Sequence, residues 1–177
     1  MAYNIGASSG NLILLSNQTV SAVSAVEFKS VITTAFDDFV IIVEALTVSG
    51  TGVNIACQFS TDNGSTYIST ANYVRNNLLV SSSGTTINQN TGQASYFVTR
   101  FISSGATDQS GFKINLYNIT SGSAHPVCTS FFSNTSNIES LGWTCGTYLG
   151  AIAVNALKLF VTSGTLSGNF KLYGVEK

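Results

Sequence analysis

The sequence predicts an all-β chain, an antiparallel β-sandwich of jelly-roll-like form behind a short N-terminal arm. Three observations predict it. Apolar residues recur with a period of two along most of the chain, the spacing of half-buried strands. Clusters of Gly, Ser, Asn and Thr separate these segments and supply turn chemistry. Charged residues are only 8% of the 177 residues while apolar residues are 44%. A helical bundle, which draws on Glu, Lys and Ala, does not fit that composition.

The elements follow in order. Gly6–Gly10 is rich in small residues and reads as a flexible arm ending in an anchoring strand, Leu12–Leu15. Val20–Val31 mixes its spacings, but its Val and Ser favour strand over helix. Phe39–Val48 is an apolar strand. In the next one Val53, Ile55, Cys57 and Phe59 alternate with Asn54, Ala56, Gln58 and Ser60. Tyr96–Ile102 is apolar on both faces, with Tyr96, Val98 and Ile102 on one and Phe97 and Phe101 on the other. Phe112, Ile114 and Leu116 alternate with Lys113, Asn115 and Tyr117. Val127–Phe132, Leu157–Val161 and Phe170–Tyr173 complete the set. About nine strands with turn clusters between them suggest a sandwich or barrel. Residues 1–18 are expected to form the arm and first strand, and residues 19–177 a single β-sandwich domain.

Charge narrows the function. Lys and Arg number 7 against 8 Asp and Glu, and seven scattered cations make no basic stripe for nucleic acid. The most apolar stretches, Phe39–Val48 and Ala151–Val161, are shorter than the ~18 residues a spanning helix needs. The first residues lack a positive n-region and an apolar h-region, so no secretory signal is expected. Cys57, Cys128 and Cys145 are odd in number and are expected to be free thiols; a Cys128–Cys145 bridge is the alternative.

Catalytic and metal motifs find little support. Gly6-Ala7-Ser8-Ser9-Gly10 fits the G-x-S-x-G elbow, but that motif needs a buried strand before it and a helix after it. His125, before Pro126 in an apparent loop, is the one histidine able to serve a Ser-His-Asp arrangement. Cys57, Cys128, Cys145 and His125 lack zinc-ligand spacing. Asp37-Asp38 reads as a turn cap. The expectation is no catalytic, cofactor or metal site.

Ser60-Thr61-Asp62-Asn63-Gly64-Ser65-Thr66-Tyr67 is more specific. It resembles the Asp-box hairpin turn: Asp62 accepts backbone N–H bonds, Gly64 supplies positive φ, and Tyr67 packs back on the hairpin. Such a turn is structural and carries no catalytic inference.

Three pieces then lie in a telling order. Phe36-Asp37-Asp38-Phe39 runs into an apolar strand. A second strand ends in the Asp-box turn. A C-terminal pair, Asn155–Phe160 and Ser167-Gly168-Asn169-Phe170-Lys171-Leu172-Tyr173-Gly174, closes the chain. This resembles small β-sandwich virion proteins and fibre-head domains of tailed bacteriophages, over roughly Thr19 to the C-terminus. Asn76–Ala94 and Gly105–Leu149 match only in texture. The resemblance implies a non-enzymatic virion component, assembled in the bacterial cytoplasm and often a homotrimer. The leading expectation is a capsid decoration (cement) protein bound to itself and to the major capsid protein. The alternative is a tail-fibre head or receptor-binding protein that contacts surface glycan. A third class is a free carbohydrate-binding module, which needs exposed aromatic platforms. Tyr67, Tyr73, Tyr117, Tyr173 and Trp143 are its candidates, with Trp143 in a stretch that reads as a loop. Interface residues are expected at Leu12, Leu14, Tyr96, Phe97, Phe101 and Phe160.

Overall fold

A computed structural model of the chain describes residues 11–50, 52–81, 84–98, 110–134 and 140–176. Among them the regular elements are twelve strands: β1 (Leu12–Val23), β2 (Ala25–Lys29), β3 (Phe39–Val48), β4 (Ile55–Ser60), β5 (Tyr73–Ser81), β6 (Gly84–Gln93), β7 (Tyr96–Phe97), β8 (Ser110–Tyr117), β9 (Val127–Asn134), β10 (Ser140–Tyr148), β11 (Ala156–Val161) and β12 (Leu166–Val175). They form two sheets. The larger has eight strands in the order β1-β12-β3-β8-β9-β10-β5-β6, and the smaller has four in the order β2-β11-β4-β7. Strand pairs in both sheets are antiparallel.

Alternation places the core. Phe39, Ile41, Val43, Phe112, Ile114, Leu116, Phe170 and Leu172 line the inner face of the large sheet. Val26, Phe28, Ile55, Cys57, Phe59, Leu157, Leu159 and Val161 answer them from the small one. Two such faces interdigitate because each strand turns every second side chain the same way. The sequence Val20–Val31 is indeed strand, but it divides. β1 belongs to the large sheet and β2 to the small one, and Ala22 at φ 52° marks the irregular end of β1.

Several expectations need correction. Leu12–Gln18 is not a separate unit, because β1 continues as one strand to Val23, with irregularities between Leu14 and Ser16 and between Val20 and Val23, and pairs with β12 from Leu12↔Val175 to Val23↔Leu166. A boundary at residue 18 therefore falls inside a paired strand. β4 is buried on both faces rather than one, and Gln58 on its outer side donates to Ala94 O at 2.9 Å. β5 and β6 have no counterpart in the sequence reading. β10 occupies the Trp143 stretch that reads as a loop.

The reason for the β10 misreading is local. Its core-facing positions include Gly142, Thr144 and Gly146, while Leu141, Trp143 and Cys145 point outward. A Cβ at Gly142 would meet Phe132 Cζ at 2.5 Å, and one at Gly146 would meet Tyr96 Cε2 at 2.7 Å. Rings from neighbouring strands, with the backbone carbonyls of Val74 and Leu78, fill the space over the middle of β10, so its inward positions from Gly142 to Gly146 must be small, and a large inward side chain returns only at Tyr148. The usual hydrophobic alternation is inverted.

The Asp-box turn forms as its residues dictate. Ser60 Oγ donates to Asp62 Oδ1 at 2.7 Å. Thr66 donates to Asp62 through its backbone N at 2.9 Å and its hydroxyl at 2.6 Å. Gly64 takes φ 80°, in the region where only glycine is free of steric cost. These bonds, led by those from Thr66, hold the exposed Asp62 carboxyl down at about 2. Asn63 and Asn155 tie the turn to its neighbours, with Asn63 Nδ2 on Ser30 Oγ at 2.8 Å and Asn155 Nδ2 on Thr61 O at 2.9 Å.

Candidate functional site

The outer face of the large sheet, away from the core, carries the site. Cross-strand register defines one row on it. Ile87 on β6 stands opposite Leu78 on β5, Leu78 opposite Trp143 on β10, and Trp143 opposite Phe131 on β9. The row continues to Lys113 on β8 and Ile42 on β3. Its β6-side half is apolar and open to solvent: Ile87 is 78% exposed, Trp143 49% and Phe131 44%. The Phe131 and Trp143 ring centroids lie 5.1 Å apart with planes tilted by 51°, a geometry favoured by aromatic quadrupoles.

The next row is polar and neutral. Asn76 on β5, Cys145 on β10, Thr129 on β9 and Asn115 on β8 follow one another in register. Asn115 Nδ2 donates to Thr129 Oγ1 at 3.2 Å. Together the two rows line a shallow depression of about 420 Å³. Aromatic carbon beside amide and hydroxyl groups can cover an apolar surface and hydrogen-bond its rim, with no charge nearer than Lys113 in the row itself. A more polar crevice of about 590 Å³ opens where β1 leaves the large sheet and β2 enters the small one, beside Gln18, Glu27 and Lys29.

The residues expected at an interface are dispersed. Leu12 and Leu14 are 48% and 53% exposed on the edge strand β1, and Leu14 pairs with Tyr173. Tyr96 is instead inside the chain's own core. Its hydroxyl donates to Cys128 O at 3.3 Å, and Ser130 Oγ donates to Val98 O at 2.7 Å, so β7 is sealed from beneath by β9. Phe97 is described only in its backbone, which pairs with Ala56, and Phe101 lies outside the described residues. Phe160 is half-buried, with Lys158 Nζ 5.1 Å from its ring centroid and 4.5 Å from that of Tyr67.

The chemistry candidates separate likewise. Cys128 and Cys145 sit on adjacent strands one register step apart, so they point to opposite faces, the first buried and the second exposed. Burial pushes the Cys57 thiol up to about 12. Asp38 acts as a cap, with Asn118 N donating to Oδ1 at 3.3 Å and Val175 N to its carbonyl at 3.0 Å. His125 is exposed in the β8–β9 loop, and the Gly6–Gly10 motif lies outside the described residues. No group of three or more His, Cys, Asp or Glu that could hold a metal ion stands together among the described residues.

No protein-family model and no curated protein matches the sequence. Solved structures offer remote likenesses. An alginate lyase from Aplysia kurodai is 10% identical over 82% of this chain and 72% of its own, with a TM-score of 0.35. Sheep galectin-11 is 11% identical over 85% and 98%, at 0.34. A homodimeric agglutinin from chicken liver is 9% identical over 81% and 99%, at 0.30. Likenesses this remote carry no argument about activity, and the face just described stands on its own geometry.

The sequence reading singled out Trp143 but not its companions. Phe131 enters the sequence reading only as part of the strand Val127–Phe132, with no face assigned, and Leu78 and Ile87 lie in a stretch without strand signal. The outward aromatic pair becomes visible only once the β9–β10 register is known.

Proposed function

We propose that the chain is a non-enzymatic structural protein of a tailed-phage particle, seated on the head surface as a decoration protein. Two things support this. The ordered motifs Phe36–Phe39, Ser60–Tyr67 and Ser167–Gly174 resemble that class. The carrying observation is the outer sheet face whose β6-side half, over β9, β10, β5 and β6, bears an apolar aromatic row and no outward charge, while Lys113 and the Lys171–Glu44 ion pair stand on the other half. Such a face docks by burial and neutral hydrogen bonds, with little help from ion pairs. A protein that binds only the assembled shell stabilises that shell by mass action. The test is co-sedimentation with heads stripped of the protein. Wild-type chain rebinds with an affinity little changed between low and high salt, because screening acts on charges that the aromatic half of this face lacks. A Trp143→Ala, Phe131→Ala double variant that stays folded rebinds at least tenfold more weakly. Equal rebinding by that variant refutes the docking face.

One observation favours a second reading, contact with host surface glycan. Trp143 offers its ring to solvent beside Asn76, Asn115 and Thr129, the pairing of aromatic plane and neutral hydrogen-bonding groups that sugars use. Trp143 is the only tryptophan in the chain, so its fluorescence reports on this one site. Saturable quenching by neutral oligosaccharides, lost in Trp143→Ala, supports the glycan reading over decoration.

A further inference from the structure

Each sheet edge in this fold exposes backbone N–H and C=O groups that another strand could pair, and proteins guard such edges. Three of the four edges here are guarded. β2 carries Glu27 and Lys29, joined in an ion pair at 2.6 Å. β7 is two residues long. β1 is broken by two register irregularities, between Leu14 and Ser16 and between Val20 and Val23.

β6 has no such device along most of its length. Its ten residues, Gly-Thr-Thr-Ile-Asn-Gln-Asn-Thr-Gly-Gln, contain no charge and no proline. Among the described residues it pairs only with β5, and the register runs regularly from Ser81↔Gly84 to Arg75↔Asn90. Thr85, Thr86, Ile87 and Gln89 are exposed. Ile87, the most exposed large apolar side chain among the described residues, stands on this strand. It is also the open end of the row Phe131–Trp143–Leu78–Ile87.

We propose that two copies of this chain pair antiparallel through β6, joining the two large sheets into one continuous sheet with eight strands from each copy. Three features select a second copy as the partner. An edge without charge meets its own copy without like-charge repulsion, which would be unavoidable for any singly charged strand pairing with itself across a two-fold axis. A two-fold perpendicular to the sheet keeps both outer faces on one side. The two Ile87 side chains then approach on that side and extend one apolar row into the other. The contact is isologous and closes at two copies. It lies beside the proposed docking face, does not depend on what that face binds, and would present two such faces side by side.

Light scattering coupled to size exclusion, on the full chain at tens of micromolar, tests the pairing together with two edge variants. Thr86→Lys and Ile87→Lys each place a charge on the exposed edge, where neither side chain is needed for the core. The wild type runs as a dimer, and each variant weakens the dimer at least tenfold while keeping the wild-type far-UV spectrum. Should a variant misfold, hydrogen exchange on the wild type decides instead: amides of Thr85–Asn90 gain protection as concentration rises through the dimerisation range. A wild-type monomer at tens of micromolar overturns the proposal. So does a trimer, and so does a dimer indifferent to both substitutions or without new protection in β6.

Discussion

Removing a single oxygen tests how β4 is finished. β4 is flanked by β11 along its length, but on its other side β7 pairs only with Ala56 and Cys57. Beyond that point the backbone of Phe59 needs other partners. Phe59 N donates to the Tyr73 hydroxyl at 3.0 Å, and Ile68 N donates to Phe59 O at 2.8 Å. The Tyr73 hydroxyl in turn donates to Ile68 O at 3.2 Å. One side-chain oxygen from β5 thus substitutes for the missing strand. Tyr73 is 1% exposed, with its ring held between Phe59 at 5.8 Å and Tyr148 at 5.1 Å. Tyr73→Phe keeps the ring and removes the bridge. Leaving Phe59 N–H buried and unpaired costs ~1–3 kcal/mol, and the lost bond to Ile68 O adds ~0.5–1.5, so the sum is ~2–4 kcal/mol. At ~2–4 °C per kcal/mol for a chain of this size, the midpoint falls by roughly 5–15 °C. Tyr148→Phe is the matched control, because its hydroxyl reaches only Thr70 Oγ1 at 3.4 Å; it costs less than ~1 kcal/mol. Thermal and urea unfolding of the two variants, with unchanged urea slopes, measures the difference. If Tyr73→Phe unfolds with Tyr148→Phe, the hydroxyl does not complete β4 and the reasoning fails.

Further outcomes follow from the same contacts. A thiol reagent labels one cysteine per native chain rapidly, at exposed Cys145, while buried Cys57 and Cys128 react only on unfolding; mass mapping that finds fast labelling at Cys57 contradicts the strand register. Asp62 has its carboxyl held near 2, below the ordinary 3.8, by bonds from Thr66 and Ser60. A depressed folded value stabilises above the ordinary value, and that share is lost as pH falls from 3.8 towards 2. Acid unfolding of Asp62→Asn therefore lacks this part of the pH dependence, and identical acid profiles count against the turn's role. Gly146→Ala forces a methyl onto the backbone carbonyl of Val74 and against Tyr96 Cε2, the latter 2.7 Å from the new Cβ position. Overpacking of this kind costs ~1–3 kcal/mol, so a neutral effect in thermal unfolding contradicts the account of the inverted strand.

The fold was legible where one face of a strand is dry and the other wet. Phe112–Tyr117 and Leu157–Val161 announce themselves by period two because their inward residues carry the apolar bulk. β6 was illegible because, as an edge strand with both faces in water, it holds one large apolar residue, Ile87, and no pattern to read. β10 misled because rings on β9 and β7 occupy its core space and leave glycine inward and tryptophan outward. The Asp-box turn was readable in outline, with Asp62 as acceptor and Gly64 at positive φ, since its bonds run between residues close in sequence; the Ser60 and Thr66 hydroxyls that complete it were not. The aromatic face was not, because Phe131, Trp143 and Leu78 come from three strands whose register no local pattern encodes.

The head-surface reading is tested most directly by particles made without this protein. Equal numbers of purified complete and deficient particles are heated or osmotically shocked, and adsorption to host cells is measured on the same preparations. The account expects deficient particles to adsorb normally but to release their contents at lower temperature or milder shock, with added purified chain restoring the threshold. Deficient particles with full head stability and lost adsorption would contradict it and point instead to receptor binding through the Trp143 face.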